Sequence, residues 1–217
     1  VVTDPGEYFN ELFAPLCEPM FDALEWAAEQ AKERRAPMLL KPIYDWLGTH
    51  STRALAHSRL TDADLGGWKL TGNHRRNGEL WLTKGLTRAR LLHSDSAKRV
   101  PRAGHNSARV AYYRNPPLFD LPNQTTPINF EEDASRLLML WRVVNPATFE
   151  VAIRVVRPIT EGSVSESCKV DIDFMLPRSE EDMLGQEWVP SDDDIDLPDD
   201  ETGTGEEESG DGHGLVG

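Results

Sequence analysis

The chain has 217 residues, with 37 acids against 23 bases, a formal charge of −14 and two cysteines. No apolar run approaches the roughly 20 residues that a membrane-spanning helix needs, and Cys17 and Cys168 are too few for a disulfide scaffold or a Cys-rich zinc site. Two reduced thiols, and a start that carries Asp4, Glu7 and Glu11 where a signal peptide needs bases and then an apolar stretch, lead us to expect a cytoplasmic protein.

The first 60 residues read as mainly helical. Glu7 to Phe13 predicts a short helix that Pro15 keeps from fusing with the next. Met20, Phe21, Leu24, Ala27, Ala28 and Ala31 then recur at helical spacing, with acids at the start of the stripe and Lys32, Arg34 and Arg35 at its end, as the helix dipole favours. Pro37 stops this helix. Pro42 predicts another short one over Ile43–Leu47, with Gly48 as its end, and Thr52 to Arg59 adds one more turn or helix.

From residue 66 the pattern turns to strands. Glu79–Thr83 and Leu86–His93 flank Lys84–Gly85 as a tight hairpin. Ser94–Asn106 is a basic loop, and Ser107–Arg114 fits a helix or a strand. Prolines 116, 117, 122 and 127 mark a long connection. Arg136–Val144, apolar on almost every residue, predicts a strand covered on both faces. After the turn Asn145–Thr148, Phe149–Val156 and Lys169–Met175 alternate as half-buried strands. The expectation is one α+β domain over residues 1–178, with residues 1–60 mainly helical and residues 66–178 forming a largely antiparallel sheet of about five strands. Residues 179–217, rich in Asp, Glu, Gly and Ser, predict a disordered acidic tail.

Charge is distributed unevenly. The tail holds 15 of the 37 acids and none of the 23 bases, leaving 22 acids against 23 bases in the body. Within the body, residues 51–115 carry 13 bases and 4 acids. Arg75, Arg76, Lys98, Arg99, Arg102, Arg109 and Arg114 make this segment a candidate for binding nucleic acid or another anion, since such side chains neutralise phosphates. Trp68, Trp81, Tyr112 and Tyr113 are interleaved with them, the composition of a surface on which single-stranded bases stack. If the Ser107–Arg114 segment is helical, Asn106 or Ser107 caps it, its free amides would add an anion site, and Arg109 and Tyr113 share one face.

Other chemistry is thinner. His74, His93 and His105 lie in the basic segment, where two imidazoles beside Arg or Lys could cleave RNA by general acid–base catalysis. Asp171 and Asp173 share the polar side of a strand, with Glu131, Glu132 and Asp133 elsewhere, and His50 and His57 share a helical face. Neither set fixes a metal geometry, so no metal and no cofactor is expected. Trp188, Ile195 and Leu197 among the tail's acids have the composition of a short partner-binding segment. The function expected is a non-catalytic intracellular interaction or regulatory protein. Its basic segment would meet single-stranded nucleic acid, RNA or an acidic partner, modulated by the tail, and no membrane would be involved. The alternatives are a small toxin-like ribonuclease without a metal and a pure protein–protein adaptor.

Overall fold

The computed structural model describes residues 5–75, 78–116, 135–162 and 167–187. Two helices, α1 (Pro5–Phe13) and α2 (Cys17–Glu33), are joined by a 3-10 turn at Ala14–Leu16. Pro15 therefore changes the helical pitch at the joint without opening a loop. The apolar stripe of α2 is buried as its spacing predicts, with Met20, Leu24 and Ala27 all at 0 % exposure. After 3-10 turns at Pro37–Leu40 and Pro42–Tyr44 comes α3 (Asp45–Thr61). It is one continuous helix where two short pieces were expected. Gly48 lies inside it, against α2's end, where an added Cβ would stand 2.8 Å from Arg35 Nη1.

The strands are β1 (Lys69–Thr71), β2 (Trp81–Lys84), β3 (Thr87–His93), β4 (Arg136–Asn145), β5 (Glu150–Pro158) and β6 (Val170–Met175). They form one sheet in chain order. This is the expected α+β arrangement, with a sixth strand, β1, added at the edge. All neighbours are antiparallel except β3 and β4, which run parallel. A parallel pair needs a crossover. Here the crossover carries the basic loop and α4 (Ser107–Tyr113), so the ambiguous segment is a helix. The β2–β3 hairpin turns at Gly85, whose φ of 58° suits glycine.

Register assigns each side chain to a face. Ala89, Leu91, Met139, Val155 and Phe174 look towards the helices. There Phe13 meets the rings of Trp68 at 5.5 Å and Phe174 at 5.6 Å. On the opposite face Tyr112, Tyr113, Leu138, Leu140 and Val156 form a second core beneath α4. β4 is thus covered on both sides, as its unbroken apolar run requires.

The body also extends further than expected. Ser179, which the acid count put in the tail, caps a fifth helix, α5 (Glu180–Leu184), by accepting from the Asp182 amide at 3.1 Å. Met183 is fully buried, and Asn10 Nδ2 donates to Gln186 O at 2.8 Å. The boundary of the folded unit falls after Glu187, correcting the expected end at residue 178. Residues 188–217, with Trp188, Ile195 and Leu197, lie outside the described residues, as does the proline-rich stretch 117–134. No helix among the described residues is long and apolar enough to cross a membrane.

Candidate functional site

The face of the sheet that carries α4 is basic at one end. Pairing aligns Lys69, Thr83, Arg88 and Arg136 in one cross-strand row, and Thr71, Trp81, Arg90 and Leu138 in the next. The three strands β1, β2 and β3 contain no acid at all. Thr71 and Thr83 share a hydroxyl–hydroxyl hydrogen bond of 2.8 Å, which ties β1 to β2 on this face. Tyr112 Oη donates to the backbone oxygens of Arg88 and Leu137, at 3.0 and 2.8 Å, and so fixes α4 over β3 and β4.

Among the described residues, no carboxylate lies within ion-pair distance of Lys69, Arg75, Lys84, Arg88, Arg90, Lys98, Arg99 or Arg109. Arg90 is half-buried, with its guanidinium 5.5 Å from the ring of Trp81. Burial lowers its pKa below the ordinary value, and the charge of Arg109 adds to the shift. Arg109 projects from α4 into solvent, one turn before Tyr113. Asn106 caps α4 as expected, its Oδ1 accepting from the Arg109 amide at 3.1 Å. The first part of the loop before α4 is held in place. Ser94 Oγ donates to Ser96 O at 2.9 Å, and Arg154 Nη1 donates to the oxygens of Ala97 and Lys98, at 3.1 and 2.7 Å. This leaves the side chains of Lys98 and Arg99 exposed on a fixed backbone, beside exposed Arg102.

Other expected site residues are removed from this surface. Tyr113 is fully buried, and burial pushes its phenol up to about 12. Tyr112 and Trp68 are buried as well, the latter donating Nε1 to Leu12 O at 2.9 Å. Trp68, Tyr112 and Tyr113 are therefore core residues, whereas Trp81 is half-buried with Arg90 beside its ring. Arg114 pairs with Glu161 through both its Nε and Nη2. That contact holds the Glu161 carboxyl at about 2. Arg76 lies outside the described residues.

The three histidines singled out in the sequence, His74, His93 and His105, do not meet one another. His74 stacks on His57 at 4.2 Å, His93 faces Asp95 at 3.3 Å and Trp141 at 4.8 Å, and His105 is exposed in the turn before α4. No ring contact or hydrogen bond joins any two of His74, His93 and His105. The aspartates of β6 are engaged too. Asp171 pairs with Arg157 and Asp173 with Arg154, both across from β5. Among the described residues no group of three or more His, Cys, Asp or Glu could hold a metal ion. Cys17 and Cys168 are buried free thiols, pushed up by burial to about 12 and about 11, so neither is a reactive thiolate.

What composition alone misses is the pairing. Arg136 belongs to the basic face although it lies outside the basic segment, because the parallel register sets it beside Arg88. No family model, no curated protein and no solved structure matches the chain. The geometry thus defines an α+β body with a basic face whose Lys69, Arg88, Arg90 and Arg109 meet no carboxylate among the described residues.

Proposed function

We propose that the chain is a non-catalytic interaction or regulatory protein that binds single-stranded nucleic acid, RNA included, through phosphates. Its contact surface is the basic face of β1–β3, α4 and the loop before it. The observation that carries this reading is the set of exposed or half-exposed bases without carboxylate partners. Arg and Lys held in this way on fixed backbone neutralise phosphates and release counterions. Because Trp68, Tyr112 and Tyr113 are buried and Trp81 is only half-exposed, contact would run mainly through the backbone of the polymer, with little sequence preference. A cytoplasmic setting fits the two buried, unlinked thiols. The acids after residue 187 would lower the affinity by competing for the same bases, through a weak interaction that reaches about a Debye length, ~8 Å at physiological salt.

Fluorescence anisotropy with a labelled oligonucleotide tests this. Deleting residues 188–217 should raise affinity most at low salt, and replacing Arg75, Arg76, Arg102 and Arg109 with Ala should cancel the gain. Absence of binding at low salt by both the full and the shortened chain would sink the nucleic-acid reading. An adaptor reading draws on a different place, Ile43 in the 3-10 turn before α3 and Trp46 at the start of α3, which are 74 % and 60 % exposed. Binding of an acidic protein but not of oligonucleotides would favour it.

A further inference from the structure

The two most exposed large apolar side chains among the described residues stand close together in the chain. Ile43, in the 3-10 turn Pro42–Tyr44, is 74 % exposed, and Trp46, in the first turn of α3, is 60 % exposed. Pro37 and Pro42 each open a 3-10 turn, so the chain passes from α2 to α3 through two tight turns. No residue of Pro42–Tyr44 is buried. Each turn is closed by its own hydrogen bond, the Leu39 amide donating to Ala36 O at 2.8 Å and the Tyr44 amide to Lys41 O at 2.9 Å. The Trp46 ring stands edge-on to His50, one turn later on α3, at 5.9 Å. Two contacts bring further groups to this end of the body. Arg35 folds back on α2, its Nε donating to Ala31 O at 3.1 Å, and lies so near α3 that a Cβ added at Gly48 would stand 2.8 Å from its Nη1. Lys32 Nζ lies 5.1 Å from the centre of the Phe149 ring, in the turn between β4 and β5, and Val144 at the end of β4 is 38 % exposed.

The charges around these apolar tips are mainly positive. Residues 32–47 hold four bases, Lys32, Arg34, Arg35 and Lys41, against two acids, Glu33 and Asp45. Lys32, Arg34 and Lys41 are exposed. Glu33 accepts from Gln30 Nε2 at 3.1 Å, and Asp45 lies in the first turn of α3, where the helix dipole favours an acid. A specific protein interface needs about 1,000 Å² of buried surface, more than a few projecting side chains supply. A bilayer needs no matching shape: Trp and aliphatic side chains enter the boundary between headgroups and acyl chains, while Lys and Arg reach anionic headgroups. We infer that the connection from α2 to α3 is a shallow anchor for a membrane surface that carries anionic lipid, with Ile43 and Trp46 inserted and Lys32, Arg34 and Lys41 at the headgroups. The sequence led us to expect no membrane because a spanning helix was sought, and a surface anchor needs none. Charges beyond about a Debye length, ~8 Å at physiological salt, act weakly on the tip. The local excess of bases, rather than the formal −14 of the chain, therefore sets the lipid preference. The anchor does not depend on the proposed contact with nucleic acid.

The test is co-sedimentation of the full chain with vesicles of phosphatidylcholine, alone or mixed with phosphatidylserine. Partitioning should be about tenfold stronger on the mixed vesicles. Ile43→Ser and Trp46→Ser should each weaken it about tenfold, as removal of one inserted apolar side chain does. Lys41→Gln should weaken it about fivefold on the mixed vesicles and leave phosphatidylcholine unaffected, whereas Asp45→Asn should strengthen it about fivefold there. Both apolar side chains are exposed, so the variants should melt like the parent. Should Trp46→Ser melt lower, Ile43→Ser carries the test. Brominated acyl chains should quench tryptophan emission of the parent, and Trp46→Phe should remove most of that quenching. Failure to sediment with either kind of vesicle overturns the anchor, as does partitioning that Ile43→Ser and Trp46→Ser leave unchanged. Self-association in analytical ultracentrifugation that Ile43→Ser abolishes, without vesicle binding, would make this surface a protein interface and overturn the anchor too. The oligonucleotide titrations are untouched by any of these results, so the two readings fail separately.

Discussion

The two ends of the sheet treat arginine differently. On β5, Arg154 and Arg157 both pair with aspartates of β6, and Arg157 and Asp171 do so at 2 % and 7 % side-chain exposure. On β3, Arg88 and Arg90 have no carboxylate partner among the described residues, and the strands beside them supply no acid. The first arrangement ties strands together. The second leaves the charges without a carboxylate partner among the described residues, as the proposed contact with a polyanion needs. Basic residues thus join strands at one end of the sheet, and at the other their contribution to folding is expected to be small.

The largest effect is expected where the pairing is most buried. Arg157→Ala should destabilise the protein by about 3–5 kcal/mol in urea unfolding, since Asp171 then loses its guanidinium in a dry setting. A cost under about 1 kcal/mol would mean that the β5–β6 pairs are incidental and the contrast with β3 is empty. Next comes the edge of the body. A chain ending at residue 187 should melt like the parent, whereas one ending at residue 178 loses buried Met183 and should be weaker by about 3 kcal/mol. Equal melting of both would return α5 to the tail.

Some of this contrast was legible in the sequence. The alternation of β5 and β6 and the unbroken apolar run of β4 read directly as strands, because each side chain's face follows from a period of two. β1 was missed because three residues, Lys69–Thr71, give no periodicity to count. Gly48 read as a helix end because glycine is a poor helix former. Here packing against Arg35 overrides that preference. Ser179 and Asp182 carry a capping pattern that the surrounding acids outweighed in the reading. The basic segment itself was visible as composition. Its lack of partners was not, because pairing joins residues such as Arg154 and Asp173 that are 19 positions apart and meet only through register. The aromatics were misassigned for a related reason, since Trp68, Tyr112 and Tyr113 look alike in sequence whether they face solvent or the core.

A smaller effect is expected on acidification. His57 and His93 are both lowered below the ordinary 6.5, in each case chiefly by burial, with the His74 ring reinforcing it at His57. At His93, Asp95 acts in the opposite direction and Arg53 adds to the lowering. A depressed histidine favours the neutral form in the folded chain, so the unfolded chain takes up protons first. The stability they contribute is complete above 6.5 and is lost as pH falls through the folded-state values. Hydrogen exchange at about pH 7.5 and about pH 5.5 should show the loop between β1 and β2 opening sooner at the lower pH, with His57→Gln reducing the change. Equal protection at both values would separate the stacked pair from the stability of this end of the sheet.

The smallest effect on folding should come from the unpartnered bases. Arg88→Ala and Arg109→Ala should each shift stability by no more than about 0.5 kcal/mol in urea unfolding, as exposed side chains without ion-pair partners do. A loss beyond about 1 kcal/mol would give them a structural role like that of the β5 arginines.

The most direct measurement compares binding rather than stability. The affinity of the full chain for a single-stranded oligonucleotide is followed across a salt series, beside an Arg88→Gln, Arg109→Gln double variant. If these side chains meet phosphates, log K should fall linearly with log salt, and the variant should lose about 0.7 of slope for each contact removed, with its folding stability unchanged. An unchanged slope, or no binding at low salt by either protein, would contradict the assignment of the basic end of the sheet to a polyanion.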